Sequence, residues 1–491
     1  MCQSILMLRF ATKCASAAMV LYVFSGACLD TVAYAENTRP NIVFIMTDDQ
    51  GPWALSATGD PNARTPHLDQ LRSTGALLTH CYSPTPVCSP ARASVLTGRY
   101  GTEINITDYL PPEEIEIPGL NPQLPTWPRL LSQAGYSTAL VGKYHCGQKP
   151  ESHPTRIGYD EFTGFIHGGM VSRNPRVEIN GTERVVEGWT PDILTDFAID
   201  YIRRKQEGPF ALSLHFWAPH ANQGSNAEGD RTWLPLSPAD LQPFSTLDPL
   251  LPEPDYPHLD VARTKRMMRE YVGSVHSVDR NVGRLLEVLN RLGLTEKTLI
   301  IFTSDHGFNI GHHGIWHKGN GRWLLTNNDG ARANMWDNSL RVPAIVSWAR
   351  HIPANSTVEK TVSHLDWFPT ILAATGIEVP GNANLRGQNI LPLLQGTNLN
   401  CSDDFMAQFQ MRVGHADGAD MRSFQTERWK LVRFFRGKYP DEFYDRVNDP
   451  HEKNNIYTST DLEIQNAIRA VDMKLKARMR EIDDPALARD E

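Results

Sequence analysis

Five short apolar runs recur along the chain, and amphipathic segments separate several of them. The runs occupy 41–46 (NIVFIM), 138–141 (TALV), 210–217 (FALSLHFW), 298–305 (TLIIFTSD) and 344–348 (AIVSW). Continuous rather than alternating apolar residues are typical of strands that are buried on both faces, as in a parallel sheet. Segments such as 193–205 and 272–292 place apolar residues at helical spacing. This alternation predicts an α/β fold with a doubly wound, mostly parallel central sheet sandwiched by helices.

The residue pattern changes after position 396. Short strands joined by turns are indicated at 405–410, 428–435 and 442–450. The segment 461–482 has apolar residues at helical spacing. We therefore predict a main α/β domain at 36–396. A smaller C-terminal α+β subdomain, an antiparallel sheet plus a helix, is predicted at 397–491.

The N-terminus has the pattern of a targeting segment. Two basic residues and then the apolar stretch 14–29 lead to an Ala-Tyr-Ala site that ends at Ala35. We predict a signal peptide at 1–35, cleaved after Ala35, and therefore a secreted or periplasmic protein. An uncleaved anchor and a lipoprotein processed at Cys28 are the alternatives. No later stretch is long and apolar enough to span a membrane, so no stable membrane span is predicted.

Composition excludes some classes of function. The 491 residues are 41% hydrophobic and 21% charged, which is typical of a folded soluble protein with an ample core. A formal net charge of -8 argues against sequence-independent binding to nucleic acid. We therefore predict no nucleic-acid partner, whereas the charge of a substrate stays open because a pocket can be basic on an acidic protein.

Charged side chains follow four of the apolar runs, at the points where the predicted strands end. In chain order these are Asp48 and Asp49, then Lys143 and His145, then His220, and then Asp305 and His306. Ligands of open α/β sheets bind outside the carboxyl ends of the strands. We therefore expect these side chains to converge on one crevice.

The three aspartates in this set carry the ligand type that a hard divalent cation prefers. Asp48, Asp49 and Asp305 would repel one another strongly at one site without a metal. Each of them alone is more often a helix cap or a turn residue.

Cations and histidines provide a second kind of chemistry. Arg92, Lys143 and Lys318 suit an anionic substrate, although a solvated surface charge is the commoner role of such residues. His145 and His220 can move protons near neutral pH, although a lone histidine is usually structural.

Cys88 precedes Pro90, which favours the first position of a helix, so an anion near Cys88 would meet free backbone N–H groups. Three roles are open for Cys88: half of a disulfide, a thiolate nucleophile, or a residue that is chemically converted. A thiolate is a poor ligand for a hard metal, and an oxygen nucleophile fits this position better.

The segment CSPAR (88–92), followed by ASVLTGR (93–99), resembles the signature of the type I sulfatases of the alkaline phosphatase superfamily. Further stretches similar to that family, in the same order, are PNIVFIMTDDQ, TPHLDQL, GKYHCG, APH, TSDHG, HGIWHKG, SLRVPAIV, DWFPTILAATGI and EFYDRVNDPHEKNNI. This resemblance spans nearly the whole mature chain and makes 36–396 the catalytic domain.

The resemblance implies that Cys88 is oxidised after translation to Cα-formylglycine, by a formylglycine-generating or an anaerobic sulfatase-maturating enzyme. One hydroxyl of the hydrated aldehyde then attacks sulfur and forms a covalent sulfate ester while the substrate alcohol departs. The second hydroxyl then loses its proton, which expels sulfate and restores the aldehyde. The implied metal is one Ca²⁺ per chain, held by Asp48, Asp49, Asp305, His306 and residue 88. The resemblance also implies catalytic roles for five residues besides Cys88. Arg92 and Lys143 would orient and stabilise the formylglycine, and His145 would help to deprotonate its hydroxyl. His220 and Lys318 would bind the sulfate and protonate the leaving oxygen.

Two features depart from the family pattern. Many relatives have asparagine where this chain has His306, and imidazole is a less usual ligand of calcium. Cys146 stands where relatives often have an aliphatic residue, and we interpret it as a small buried hydrophobe. The long segment 319–339 after Lys318 is a candidate for shaping the substrate pocket.

The leading hypothesis is a secreted sulfatase that hydrolyses sulfate esters of carbohydrates. The alternatives are a phosphodiesterase or phosphonate monoester hydrolase of the same superfamily, and a non-catalytic protein that binds sulfated glycans. Candidates for stacking on sugar rings, if they are not ordinary core residues, are Trp217, Trp233, Trp316, Trp323 and Trp336.

Overall fold

The computed structural model describes residues 39–489 apart from 115, 223–224, 226–229, 329, 398–401 and 413–417. The predicted signal peptide at 1–35 lies outside the described residues and stays a prediction. Within the described residues, no helix combines the length and the apolar character that a membrane crossing requires.

Strands and helices alternate through most of the chain. The strands before position 220 are β1 (Asn41–Thr47), β2 (Ala76–Leu78), β3 (Cys81–Tyr82), β4 (Ser137–Lys143), β5 (Glu161–Phe165), β6 (Arg176–Ile179), β7 (Thr182–Val185) and β8 (Phe210–His215). The later strands are β9 (Thr298–Ser304), β10 (Asn309–Ile310), β11 (Ile315–His317), β12 (Asn320–Trp323), β13 (Ala331–Ala333), β14 (Arg341–Val342), β15 (Ala344–Ser347), β16 (Ser356–Val358), β17 (Val362–Ser363), β18 (Phe405–Gln410), β19 (Asp420–Gln425), β20 (Trp429–Arg436) and β21 (Glu442–Asp445). The α-helices are α1 (Pro66–Ser73), α2 (Cys88–Thr97), α3 (Trp127–Gln133), α4 (Pro154–Ile157), α5 (Thr190–Lys205), α6 (Pro238–Leu241), α7 (Val261–Arg291), α8 (Asp337–Leu340), α9 (Trp367–Thr375), α10 (Leu391–Leu394) and α11 (Leu462–Glu481).

The central sheet has the strand order β16-β2-β15-β9-β1-β8-β4-β5-β6-β7. Its five middle strands, β9, β1, β8, β4 and β5, run parallel to one another. The run at 344–348 forms β15, but this strand is antiparallel to both β9 and β2. A fully buried strand has the same apolar pattern in either direction, so the sequence could not distinguish the two. The prediction of a mostly parallel sheet is confirmed.

Both faces of the sheet are covered, as the continuous apolar runs predicted. In β1, Ile42 and Phe44 pack into one hydrophobic cluster with residues of α2, α3 and α9. Val43 and Ile45 point to the opposite face and pack into a second cluster with residues of α5 and α7. All four side chains are fully buried, which explains why residues 42–46 are all apolar.

The C-terminal part contains an antiparallel sheet, in the order β18-β19-β20-β21, and helix α11 packs on it. This arrangement confirms the predicted α+β subdomain, while its exact boundary at 397 stays a prediction. The sequence analysis missed β19, because charged residues interrupt its apolar pattern. One of these, Arg422, is fully buried and forms ion pairs with Asp420 and Asp484.

Candidate active site

The four predicted strand ends lie side by side, because β9, β1, β8 and β4 are consecutive in the sheet. The last residue of β1, Thr47, lies directly opposite Ser304, the last residue of β9. Asp48 and Asp305 therefore leave the sheet at the same edge and at the same level. The chain order of these residues gives no hint of that proximity, whereas the parallel register produces it.

Three carboxylates and one imidazole meet at this edge, and all four are buried. The backbone N–H groups of Asp49 and His306 donate to Asp305 Oδ1, at 3.2 and 3.0 Å. His306 Nε2 lies 3.4 Å from Asp49 Oδ1 and 3.4 Å from Asp305 Oδ1. His306 Nδ1 lies 3.0 Å from the carbonyl oxygen of Gly307, which only accepts, so Nδ1 carries the hydrogen. In the neutral ring, Nε2 therefore presents a lone pair to the carboxylates.

Cys88 is the first residue of α2 and is buried at the same place. Its Sγ lies 3.6 Å from Asp48 Oδ1 and 3.5 Å from His306 Nε2. Lys318 Nζ donates to Sγ at 3.0 Å. Burial raises the pKa of the thiol to about 12, although Lys143 and Lys318 oppose the increase. An unmodified Cys88 is therefore a neutral thiol near pH 7 and a weak nucleophile.

The other roles considered for the cysteines can be compared with the fold. Cys81, Cys88 and Cys146 are free thiols, so none of them is half of a disulfide. Cys146 is fully buried in the hydrophobic core, as predicted for a small hydrophobe. Pro90 is the third residue of α2, not the first as we predicted, because the helix already begins at Cys88. It still lies in the first turn, where backbone N–H groups lack partners within the helix.

The three predicted cations are buried, and each forms its shortest ion pair with a different carboxylate of the cluster. The pairs are Arg92 with Asp305 at 2.9 Å, Lys143 with Asp48 at 2.5 Å and Lys318 with Asp49 at 2.5 Å. Burial by itself raises the pKa of these carboxyl groups. The nearby cations and histidines outweigh that effect, so the pKa of each carboxyl group is lowered and all three are ionised at neutral pH.

The two predicted catalytic histidines differ in which ring nitrogen is hydrogen-bonded to a backbone carbonyl group. His145 Nε2 lies 3.0 Å from the carbonyl oxygen of Leu110 and so carries the hydrogen, while the buried Nδ1 has no hydrogen-bond partner. His220 is the reverse: Nδ1 lies 2.7 Å from the carbonyl oxygen of Ala221, and Nε2 lies 3.6 Å from Asp49 Oδ2. Burial lowers the pKa of both rings, and for His220 the Asp49 carboxylate opposes the decrease.

Three residues of this site have a strained backbone conformation. Asp49, His145 and His317 have φ values of 66°, 54° and 87°, in the left-handed region that non-glycine residues seldom adopt. Such conformations persist only where the surrounding structure holds them, and they cluster at functional sites. The sequence carries no signal for them, because these residues have ordinary neighbours.

A cavity of about 1140 Å³ opens over the cluster. Four of the predicted site residues line it, namely Cys88, His145, His220 and Lys318. Among the five tryptophans considered for sugar stacking, only Trp316 lines the cavity. Trp217, Trp233 and Trp336 are buried elsewhere and serve as core residues.

The ligand set fits a divalent cation. One ligand atom each from Asp48, Cys88, Asp305 and His306 lies within 4.8 Å of the others. A second, overlapping group joins Asp48 and Asp49 to His220. The first group is the better candidate for a metal site, because all its residues are buried and residue 88 is one of them. In this group, His306 Nε2 also offers a lone pair to a metal. Its carboxylate and imidazole donors match a hard or borderline divalent metal.

Several residues of the cavity wall were not predicted. They are Arg231, Arg263 and Arg266, and also Asn320 and Arg322, which closely follow Lys318 in the sequence. The length of the segment after Lys318 was the only sequence signal for any of them, and it did not identify particular residues.

The chain matches the sequence profile of the sulfatase family over residues 40–377, which is more than half of its length. The chain belongs to the sulfatase family. It is therefore a sulfuric ester hydrolase of the alkaline phosphatase superfamily. A second profile, described as the C-terminal part of N-sulphoglucosamine sulphohydrolase, matches residues 331–484 of this sulfatase.

Individual relatives are similar over most of their length. The chain is 27% identical to an N-acetylglucosamine-6-O-sulfatase from Bacteroides thetaiotaomicron, over 86% of this chain and 83% of that protein. It is also 27% identical to an ulvan-active sulfatase from Formosa agariphila, over 96% of this chain and 88% of that protein. A protein solved in complex with its substrate, D-glucosamine-2-N,6-O-disulfate, has a TM-score of 0.77 and 25% identity, over 91% of this chain and 99% of that one.

The same fold also supports another activity. A phosphonate monoester hydrolase from Agrobacterium radiobacter has a TM-score of 0.66, over 90% of this chain and 96% of that one. At 20% identity this likeness shows a shared fold alone.

Proposed function

We propose that this sulfatase hydrolyses sulfate esters of carbohydrates, with a formylglycine derived from Cys88 as the nucleophile and a divalent cation beside it. One observation carries the proposal: Cys88 lies at the start of a helix, within 3.6 Å of Asp48, His306 and Lys318. Two relatives, an N-acetylglucosamine-6-O-sulfatase and an ulvan-active sulfatase, are similar to this chain over more than four fifths of its length. Their names support a carbohydrate substrate.

The residues at the site suit both a divalent cation and a formylglycine at position 88. The cation would be held by Asp48, Asp49, Asp305 and His306, and we propose Ca²⁺ because three of these four donors are carboxylates. When bound, the cation would offset the charge of the sulfate and lower the pKa of a hydroxyl beside it. Formylglycine would supply, when hydrated, one hydroxyl for attack on sulfur and a second for the release of sulfate. A maturating enzyme that oxidises Cys88 is therefore a necessary partner.

The buried cations position the nucleophile and the sulfate. Arg92 is fixed between Asp305 and the carbonyl oxygen of Lys143, at 2.9 and 3.0 Å, and so holds the floor of the site in place. Lys318 faces the cavity, and its Nζ reaches residue 88. It is thus placed to attract the sulfate oxygens during transfer.

The histidines divide the proton transfers. His145 has a neutral ring with an unpartnered Nδ1, so it can accept a proton from a hydroxyl at position 88. His220 faces the cavity, and although burial lowers its pKa, the carboxylate of Asp49 opposes that decrease and favours a proton on Nε2. It is thus suited to donate a proton to the leaving oxygen of the sugar.

The predicted signal peptide supports action in the periplasm or outside the cell, where sulfated polysaccharides are found. We propose this location together with the substrate class.

The test uses the enzyme produced together with a maturating enzyme and measures inorganic sulfate released from defined sulfated mono- and oligosaccharides. A phosphonate monoester is assayed in parallel, and Cys88→Ala serves as the inactive control. We expect sulfate release from at least one sugar at a rate well above that of the phosphonate. Faster hydrolysis of the phosphonate, or binding of sulfated sugars without release of sulfate, would contradict the proposal.

A further inference from the structure

The wall of the active-site cavity is cationic, although the chain as a whole carries a net charge of -8. Among the described residues that line the cavity, two are carboxylates, Asp230 and Asp260. Five are cationic, namely Arg231, Arg263, Arg266, Lys318 and Arg322. One cation, Lys318, belongs to the catalytic cluster, so the excess of positive charge extends beyond the sulfate that is hydrolysed.

One wall of the cavity is a β-hairpin formed by β11 and β12. Ile315 lies opposite Trp323 and Trp316 lies opposite Arg322, which places the tip of the hairpin at Gly319. The tip is fixed against the loop before Cys88, because the N–H of Gly319 donates to the carbonyl oxygen of Pro86 at 3.3 Å.

Alternate residues of this hairpin face the cavity. Trp316, Lys318, Asn320 and Arg322 all line it, as expected for side chains that alternate between the two faces of a strand pair, and His317, whose φ is 87°, also reaches the cavity. Lys318 at the tip reaches Cys88, while Trp316 and Arg322 lie three residues back from the tip. At about 3.3 Å per residue, that pair lies roughly 10 Å from the tip along the strands, a distance comparable to the length of a disaccharide.

Arg322 differs from the other arginines of the region in having no partner. It is exposed, and among the described residues no side chain forms an ion pair or hydrogen bond with its guanidinium. Arg263 and Arg266, by contrast, both pair with Asp230, at 2.6 and 2.9 Å. Arg332, in the neighbouring strand β13, pairs with Glu442 at 2.5 Å. An unpaired guanidinium in a substrate cavity presents its planar set of donors to solvent or to a ligand.

We propose that Arg322 binds a second anionic group of the substrate, a sulfate or a carboxylate on the sugar unit next to the one that is desulfated. This inference rests on the proposed function. A guanidinium can donate two parallel hydrogen bonds to two oxygens of a sulfate or of a carboxylate, so either anion can bind at this position. Trp316, its cross-strand neighbour, adds an aromatic surface on the same face of the hairpin. The preferred substrate is therefore an oligosaccharide with two negative charges, not a singly sulfated sugar.

The test compares four substrates that share the same sulfated unit. One is the monosaccharide, and the other three are disaccharides whose second unit is neutral, carries a carboxylate or carries a second sulfate. For the wild-type enzyme we expect KM about tenfold lower for at least one anionic disaccharide than for the neutral one. The better of the two anionic substrates identifies which group Arg322 accepts.

Variants separate the role of Arg322 from that of the catalytic centre. Arg322→Ala is expected to remove the tenfold preference, while kcat and the KM for the monosaccharide stay unchanged. Arg322→Lys is expected to keep part of the preference, because lysine retains the positive charge but lacks the paired planar donors of the guanidinium. The matched control is Arg184→Ala in the edge strand β7, since Arg184 is also exposed on a strand but lies outside the cavity.

Equal KM values for the neutral and anionic disaccharides would overturn the proposed subsite while leaving the proposed function intact. An equal change of KM for all four substrates in Arg322→Ala would also overturn it. If the wild-type enzyme releases no sulfate from any of the four sugars, the proposed function fails and the subsite fails with it.

Discussion

The side chain at position 88 is buried among two acidic residues, an imidazole and a lysine, on the wall of the active-site cavity. Burial keeps an unmodified thiol protonated there, with its pKa raised to about 12. A soft, neutral thiol therefore has little use next to oxygen-rich ligands. This mismatch between the residue and its surroundings is the physical reason to expect chemical conversion of Cys88.

We predict that Cys88→Ala abolishes turnover and leaves the fold intact, because the side chain is small and contributes little to the core. Cys88→Ser supplies one hydroxyl instead of two and is expected to allow at most one sulfate transfer per chain. Burst and steady-state release of a nitrophenol from its sulfate ester measure both effects. Sustained turnover by the serine variant would contradict the two-hydroxyl mechanism.

His220 is predicted to act as the acid that protonates the leaving oxygen, an effect worth about 10²–10⁴-fold. His220→Ala should therefore impair a sugar sulfate, which leaves as a poor alkoxide, far more than a nitrophenyl sulfate. His145→Ala should impair both substrates alike, because His145 serves the nucleophile. Rates for both substrates on both variants, with thermal unfolding as the control, check this. Equal losses on the two substrates in His220→Ala would remove that role from His220.

At the residue scale, the sequence was informative where chemistry and strand ends coincide. Asp48, Asp49 and Asp305 could be grouped because each follows an apolar run, and parallel strands end at one edge. The free Nδ1 of His145 could not be predicted, because it depends on a carbonyl group 35 residues away in the chain. Arg322 was missed because nothing in its local sequence distinguishes it from a surface arginine.

At the scale of elements, the hairpin of β11 and β12 determines where Lys318 lies. Asn334 supports the tip from below, since its side chain donates to the carbonyl oxygen of Lys318 at 2.9 Å. The tip approaches the Cys88 loop so closely that only glycine fits at position 319. A Cβ there would lie 2.4 Å from Pro86 Cγ and 2.9 Å from Phe409 Cε1.

Gly319→Ala is therefore expected to displace the hairpin tip and to lower kcat by about 10- to 100-fold, because small misplacements of a catalytic group are costly. Thermal stability should change little, since the tip contributes few core contacts. Gly330→Ala is the matched control in the same segment, where a new Cβ would approach no atom closer than 3.1 Å. An unchanged kcat in Gly319→Ala would show that the tip does not position Lys318 for catalysis.

The elements were predictable to the extent that their burial leaves a simple pattern. The strands β1, β4, β8 and β9 are buried on both faces and were found from their apolar runs. Strand β19 was missed because buried ion pairs replace apolar residues in it. The antiparallel direction of β15 was not predictable, since direction depends on the long-range connection and not on composition.

At the scale of the whole molecule, the candidate cation site joins β1 and β9 to α2, so we expect metal binding to stabilise the fold. A ligand that binds only the folded state adds about 2.7 kcal/mol at one hundred times its Kd. We expect a chelator to lower the Tm of the wild-type enzyme and to abolish its activity, and added Ca²⁺ to restore both.

Asp305→Asn is expected to contain no metal and to show no change of Tm with the chelator, because it loses one ionised ligand while keeping its shape. Metal content and calorimetry on the two proteins check this. A variant that retains both metal and rate would show that Asp305 is not a ligand.

The central claim is that the active sulfatase uses an aldehyde made from Cys88. The most direct test is the mass of the peptide containing residue 88, measured in preparations that differ in their specific sulfatase activity. We predict that activity is proportional to the fraction of this peptide that carries formylglycine and is absent where the thiol is intact. Full activity in a preparation whose Cys88 is entirely unmodified would contradict the account.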